Sequence, residues 1–131
     1  YIVRTSWLYG HHGKNFVETM ISLADKPELK VVDDQKGCPT WTCELANGII
    51  KIIENEMPYG IYHVCGSGET TWYKFSKKIF ELCNLNVNLK PCTSQEYPQK
   101  AKRPANSVME NNHICRNWET ALKEYIELRC E

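Results

Sequence analysis

Short β-branched segments alternate with amphipathic segments along the whole chain, and this alternation most constrains the fold. It predicts strands at 1–7, 29–33, 60–65 and 88–92, separated by helices at 14–24, 42–55, 72–82 and from 118 onward. Such alternation is typical of α/β proteins with parallel strand pairing. So few parallel strands are poorly covered on their two faces, which predicts that the sheet needs further chain to be complete.

Short polar residues mark the expected helix starts. Thr40 or Thr42 is expected to cap the second helix, Thr70 or Thr71 the third, and Asn117 the last. Their side-chain oxygens can accept a hydrogen bond from a first-turn backbone N–H that has no partner within the helix.

The charge balance argues against two classes of partner. The chain of 131 residues carries 16 Lys and Arg against 16 Asp and Glu, so its formal net charge is zero. Such a chain has no long-range field to attract nucleic acid or an anionic membrane, and neither is expected as a partner. No apolar run approaches the roughly 20 residues of a membrane-spanning helix.

The cysteines and histidines predict neither a disulfide framework nor a metal site. There are seven cysteines, an odd number, and none forms a C-x-x-C pair. Zinc sites use such close pairs, and disulfide scaffolds usually have an even count, so reduced thiols and a cytoplasmic location are expected. His11 and His12 are adjacent, and His63 and His113 have no partner at a spacing suited to a shared ion.

Two motifs imitate a cofactor or catalytic site. Residues 66–71 lie between a strand and a helix, as a dinucleotide phosphate loop does, but Thr71 stands where its third glycine would be. A plain strand-to-helix turn is therefore predicted. Tyr73 and Lys77 have the spacing of a catalytic Tyr-x-x-x-Lys pair, but they flank an apolar helical row, so a solvent-facing position is predicted.

Polar groups in three segments suggest a ligand site. Residues 4–10 end the first strand, where a parallel sheet places its ligand crevice. Residues 34–40 combine an amide, a glycine and a hydroxyl, which suit a sugar or a base. Residues 100–107 contain Arg103, whose planar guanidinium can bind phosphate through two hydrogen bonds. Together they predict a site for a phosphorylated, polyhydroxylated ligand, with solvated loops as the alternative.

Ordered motifs in these segments make the chain similar to a known family. They are Arg-Thr-Ser-Trp-Leu-Tyr-Gly at 4–10, Gly-Lys-Asn-Phe at 13–16, Val-Asp-Asp-Gln at 32–35 with Gly37, Pro39 and Thr40, Tyr-Gly-Ile-Tyr-His-Val at 59–64, and Lys-Arg-Pro-Ala-Asn-Ser at 102–107. Over essentially its whole length the chain resembles the C-terminal half of dTDP-4-dehydrorhamnose reductases, which are extended short-chain dehydrogenases/reductases. Only residues 111–116 depart from the family pattern, since they are shorter than expected before the last helix.

The resemblance implies a fold and a division of the chain. Residues 1–131 would be a C-terminal fragment of a Rossmann-like α/β enzyme, with late parallel strands and a small α/β substrate lobe. Residues 1–10 and 41–66 would belong to the Rossmann sheet, and residues 11–40 and 67–131 to the substrate lobe.

The resemblance also implies an activity for the parent enzyme, the NADPH-dependent reduction of dTDP-4-dehydro-L-rhamnose to dTDP-L-rhamnose. In the family, the glycine-rich cofactor fingerprint and the catalytic tyrosine and lysine precede the Arg-Thr-Ser-Trp strand. The chain is therefore expected to hold no catalytic residue, to be inactive alone and to pair with the missing N-terminal half of its own chain. The resemblance leaves open a homodimer and a Mg²⁺ ion in the parent dimer; no metal ligand is expected in this chain.

Site residues follow from the matched positions. The resemblance implies that seven residues contact the dTDP-sugar substrate, with Trp7 near the sugar and Arg103 on the diphosphate: Trp7, Gln35, Gly37, Thr40, Arg103, Asn106 and Ser107. It places Thr5 and Ser6 near the nicotinamide of NADPH.

Two alternatives remain open. The same sequence resembles the regulatory β subunit of methionine adenosyltransferase, a non-catalytic relative that binds a partner enzyme. It is also compatible with another nucleotide-sugar reductase or epimerase of the extended family.

Overall fold

A computed structural model describes residues 1–129 of the chain. Within that part, the backbone forms eight short strands and four helices. In chain order they are β1 (Ile2–Arg4), β2 (Leu8–Tyr9), α1 (Phe16–Ser22), β3 (Leu29–Val32), β4 (Lys36–Gly37), β5 (Thr40–Trp41), α2 (Thr42–Glu54), β6 (Ile61–His63), β7 (Thr70–Thr71), α3 (Trp72–Leu82), β8 (Leu89–Cys92) and α4 (Trp118–Arg129).

The strands pair two by two, and most of the pairs are parallel. β1 pairs with β6, β2 with β5, and β3 with β8, all in parallel, whereas β4 and β7 are antiparallel. The predicted α/β class with parallel strands is confirmed. The two-residue strands β2, β4, β5 and β7 were not predicted, because so short a segment carries no alternating pattern.

The first strand is shorter than predicted. It was expected to reach residue 7, but β1 ends at Arg4. Trp7 has a φ of +46°, in the left-handed region that an extended strand does not use. The chain therefore turns at Trp7 before β2 begins.

Two of the three expected helix caps form. The Thr71 hydroxyl accepts a hydrogen bond from the Lys74 N–H and begins α3, and the Asn117 side chain accepts one from the Glu119 N–H and begins α4. The cap expected from Thr40 or Thr42 is wrong: α2 begins after Trp41, whose side chain makes no capping bond.

Two hydrophobic clusters form the core. Helices α3 and α4 bury apolar faces in the larger one, together with side chains from α1 and β3; its fully buried members include Val17, Phe75, Ile79, Leu122 and Tyr125. The smaller one is built on Ile52, Val64 and Cys115. Leu128 is 45% exposed, so α4 buries its apolar face only as far as Ile126.

The clusters match the predicted division of the chain only in part. Tyr9 and Trp41 were assigned to the Rossmann sheet, yet both pack in the larger cluster with the elements of the predicted substrate lobe. The division therefore stays a prediction. Across residues 1–129, no helix is both long and apolar enough to cross a bilayer.

Candidate functional site

A cleft of about 650 Å³ opens between Ser6 and Trp7, which follow β1, and residues 97–107. One wall is apolar and comes from α1 and β3, with side chains such as Met20 and Val31. A second wall is aromatic and comes from Trp7 and Trp72. A large, mainly apolar cleft with a few polar groups at its rim is the usual form of a small-molecule site.

The aromatic wall is a stack of rings. Trp7 and Trp72 lie face to face, with ring centroids 3.5 Å apart and planes inclined by 8°. Phe16 packs against Trp72 at 4.5 Å with a tilt of 48°. The ring of Trp7 also packs against Gly37, where a Cβ atom would overlap the indole. Trp7 is therefore held between two neighbours, which offsets the cost of its left-handed backbone.

A chain of hydrogen bonds connects the aromatic wall to the carboxylate of Asp34. Trp72 Nε1 donates to Gln35 Oε1 at 3.2 Å, and Gln35 Nε2 donates to Ser94 Oγ at 2.9 Å. Ser94 Oγ then donates to the Asp34 carboxylate at 2.6 Å. These bonds from the Ser94 hydroxyl and backbone N–H lower the pKa of Asp34 below its ordinary value, because they favour the charged carboxylate.

Two cationic side chains also line the cleft. Lys30 and Arg103 line it, and none of the lining side chains in the described part of the protein is a carboxylate. Arg103 is exposed, and its Nε donates to Gln99 Oε1 at 3.4 Å. Two cations beside an apolar and aromatic surface suit an anionic ligand that also has a ring.

Residues 105–109 form a strap that fixes the Arg103 segment to β4. The backbone N–H of Lys36 donates to Ala105 O, and both the N–H and the hydroxyl of Ser107 donate to Lys36 O, each at 2.9 Å. Farther along, the thiol of Cys38 donates to Met109 O at 3.8 Å. The strap places Arg103 and Ser107 at the cleft although the segment has no regular secondary structure.

Two buried thiols lie beneath the strap. The hydrogen bond from the Cys65 thiol lowers the pKa of Cys38 to about 6, although burial acts in the opposite direction. The same hydrogen bond, followed by burial, raises the pKa of Cys65. Both cysteines are almost fully buried, so they act here as packing and hydrogen-bonding groups.

The structure brings five predicted site residues together in this cleft. They come from three separate segments: Ser6, Trp7, Gln35, Arg103 and Ser107. Gly37 packs against the Trp7 ring and does not line the cleft, and its expected contact with substrate stays a prediction.

Thr40 does not line this cleft, and its expected contact with substrate stays a prediction. It is 1% exposed. Its hydroxyl accepts from the Gly66 N–H at 3.1 Å and donates to Cys38 O at 3.2 Å. The same bonds explain why Thr40 does not cap α2: its hydroxyl is engaged by the turn after β6.

Asn106 and Thr5 also lie away from the cleft lining. The Asn106 carbonyl oxygen accepts from the Val108 N–H at 3.0 Å, which shapes the strap. The Thr5 hydroxyl is buried and has no hydrogen-bond partner. Their expected contacts with substrate and cofactor stay predictions.

Sequence reasoning missed several cleft residues. Trp72 and Phe16 lie in predicted helices and Lys30 in a predicted strand, yet all three line the cleft. The available signal was position: Trp72 is the first residue of α3, directly after the capping Thr71, so its ring can face a strand end as well as the core.

Neither imitating motif forms a site. The N–H of Ser67 donates to Arg116 O, and the missing Cβ of Gly66 would overlap the Pro39 carbonyl, so the turn is a close packing point rather than a phosphate loop. Lys77 is exposed as predicted, but Tyr73 packs against the larger core cluster instead of facing solvent.

The residues present fit a nicotinamide only at its edge. The unpaired Thr5 hydroxyl lies just beyond β1 and could bind an amide there. Ser6 lines the cleft, although its hydroxyl already donates to Cys38 O at 2.9 Å. In the strand-to-helix turn at 66–71, the N–H groups of Gly66 and Ser67 already donate to Thr40 Oγ1 and Arg116 O, so these two are not available to a pyrophosphate.

Comparisons with known proteins place these features in a family. Residues 1–129 match the model of the RmlD substrate binding domain. The chain is 47% identical to the spore coat polysaccharide biosynthesis protein SpsK of Bacillus subtilis, over 98% of this chain and 47% of that protein. The chain spans about half the length of the curated relatives that it matches.

Solved structures give the same result. A dTDP-4-dehydrorhamnose reductase from Clostridium acetobutylicum superposes with a TM-score of 0.94 at 46% identity, over 99% of this chain and 49% of that one. The reductase from Bacillus anthracis, crystallised with NADP, gives a TM-score of 0.91 at 40% identity, over 97% and 48%.

The expected position of the chain within the family needs correction. The sequence predicted the C-terminal half only, and that prediction is contradicted: the family match runs from residue 1 to residue 129. The supported statement is that the chain covers about half of the matched reductases, counted from residue 1.

Proposed function

The chain belongs to the RmlD substrate binding domain family, and we propose that it supplies the dTDP-sugar site of an NADPH-dependent reductase that converts dTDP-4-dehydro-L-rhamnose to dTDP-L-rhamnose. One observation carries this proposal. Trp7, Gln35 and Arg103 come from segments far apart in the sequence, yet all three line one cleft that carries both aromatic and cationic side chains.

Each part of a nucleotide sugar has a counterpart in the cleft. The diphosphate would bind at Arg103 and Lys30, where charge-assisted hydrogen bonds are strongest and no lining carboxylate of the described residues opposes them. The sugar would pack on the part of the Trp7 ring that lines the cleft. The Ser107 hydroxyl already donates to Lys36 O, so toward a ligand it would act as an acceptor.

The cofactor would meet this chain at the end of β1. When bound, NADPH supplies the hydride for the reduction. Thr5 and Ser6 would lie beside its nicotinamide, Thr5 by giving its unpaired hydroxyl a partner. Satisfying a buried polar group is worth about 1–3 kcal/mol, enough to favour one orientation of the ring amide.

Calorimetric titration of the purified protein tests the proposal. We expect binding of dTDP-L-rhamnose and dTDP, and much weaker binding of UDP-glucose and inorganic phosphate. Equal affinity for the UDP-sugar would favour another nucleotide-sugar reductase or epimerase. Absence of nucleotide-sugar binding, together with capture of a methionine adenosyltransferase, would favour the regulatory alternative.

A further inference from the structure

We propose that Trp72 is a positioning residue for Trp7, and that Gln35, although it lines the cleft, acts on ligand affinity through its hydrogen bond to Trp72. The inference rests on the proposed function of the cleft and adds how the sugar-binding surface is held. It adds to the role implied by the family resemblance for Gln35, a residue lining the nucleotide-sugar pocket, by making its amide a support for Trp72.

The groups at the two ends of this hydrogen-bond chain, Trp72 and Asp34, fix which group donates and which accepts in each of its bonds. The indole N–H of Trp72 can only donate, so the oxygen of the Gln35 amide must face it at 3.2 Å. The amide nitrogen then faces Ser94 and donates to its hydroxyl. At the far end, the ionised Asp34 can only accept, so Ser94 must donate to it.

This polarity leaves Gln35 one amide orientation. A flipped amide would place its N–H₂ group against the Trp72 N–H and its oxygen toward a hydroxyl that is already donating to Asp34. Both original bonds would be lost. The Gln35 side chain is therefore held by Trp72 and Ser94.

Trp72 connects this hydrogen-bond chain to the ring of Trp7. The Trp72 ring covers one face of Trp7 at 3.5 Å. Phe16 of α1 packs against the Trp72 ring and limits the movement of that ring. Trp7 needs such support because its φ of +46° is unfavourable for a side chain of this size. The position of the Trp7 ring thus depends on a bond chain that ends at Asp34.

A double-mutant cycle on dTDP-L-rhamnose affinity tests the inference. Trp72→Phe keeps an aromatic stack but removes the N–H, and Gln35→Met keeps the length but removes the amide. Each variant should bind roughly three- to tenfold more weakly, the range for one lost hydrogen bond. The double variant should bind no more weakly than the weaker single variant, because both changes break the same chain.

A spectroscopic signal separates positioning from general stability. Stacked indoles couple, so the unaltered protein should show a split far-ultraviolet circular dichroism band that Trp72→Phe removes and Gln35→Met reduces. Tyr73→Phe, the next residue on α3 but outside the cleft lining, should leave affinity and this band unchanged. If either variant unfolds at the assay temperature, Ser94→Ala replaces it, since it breaks the chain at the half-buried Ser94.

The outcomes distinguish the two proposals. Losses that multiply in the double variant would show Gln35 acting independently of Trp72 and would overturn the inference, while dTDP-sugar binding would still stand. A split band missing from the unaltered protein would do the same. No binding of dTDP-L-rhamnose by the unaltered protein would overturn the proposed function, and the inference with it.

Discussion

Gly37 packs so closely against the indole of Trp7 that a methyl group on Gly37 would overlap the ring. The contact explains why a glycine stands there although its backbone φ is not in the left-handed region. The requirement is space, and it comes from a residue thirty positions earlier in the sequence.

Gly37→Ala should therefore displace Trp7 and destabilise the protein. We expect a loss of about 1–3 kcal/mol in the free energy of unfolding, typical of overpacking, together with weaker dTDP-sugar binding. Urea unfolding and calorimetry measure the two effects. Gly60→Ala is the matched control, because a Cβ there meets open space. Equal effects at both positions would contradict the argument.

Arg103→Ala should weaken dTDP-sugar binding by about 1.5–3 kcal/mol, the scale of a charge-assisted hydrogen bond. Arg103→Lys keeps the charge but loses the planar guanidinium, so its dTDP-sugar affinity should lie between those of the unaltered protein and Arg103→Ala. Lys102→Ala changes a neighbouring cation that does not line the cleft and should have little effect in the same calorimetric series. Unchanged affinity in Arg103→Ala would remove this residue from the site.

Ser94→Ala should make stability less sensitive to acid. Hydrogen bonds from Ser94 lower the pKa of Asp34 below its ordinary 3.8, so the folded state is stabilised above that pH and loses the contribution as pH falls through the lowered value. The variant should be less stable at neutral pH, and the difference should shrink in strong acid. Urea unfolding across this range measures it; adding Asp34→Asn to Ser94→Ala should remove the acid sensitivity that remains, because the Ser94 backbone N–H still binds the Asp34 carboxylate in the single variant.

Arg116→Leu should destabilise the packing between α2 and the start of α4. Arg116 Nε donates to Glu44 Oε1 at 2.8 Å, and the Glu44 side chain is only 10% exposed. Removing the guanidinium strands a nearly buried carboxylate, at a cost of about 1–3 kcal/mol since the arginine itself is half exposed. Glu124→Gln alters only the outer partner and should cost below about 1 kcal/mol. A smaller loss for Arg116→Leu than for Glu124→Gln in urea unfolding would refute this.

Local chemistry explains which helix starts could be predicted. The caps at Thr71 and Asn117 act on N–H groups two or three residues away, so the sequence near them is sufficient. The expected cap at Thr40 failed because its hydroxyl binds the N–H of Gly66, twenty-six positions later. A competing partner at that distance leaves no trace in the local pattern.

The same reasoning applies to the cleft. Trp7, Gln35 and Arg103 stand in polar or turn-forming segments, which marks them as candidates. Trp72 stands in an apolar helical row, and the spacing is the same whether such a ring faces the core or a ligand. Only its stack on Trp7 and its bond to Gln35 distinguish the two.

The sequence by itself determined the α/β class, the parallel pairing, the family and the segments that carry polar chemistry, because periodicity, caps and ordered motifs are properties of neighbouring residues. Tertiary structure alone decided that Thr40 is buried, that Gly37 packs against the Trp7 ring, and that the Gln35 amide accepts a hydrogen bond from Trp72. Those contacts depend on which residues from distant parts of the sequence are packed against each other in the folded protein, and the local sequence pattern does not contain that information.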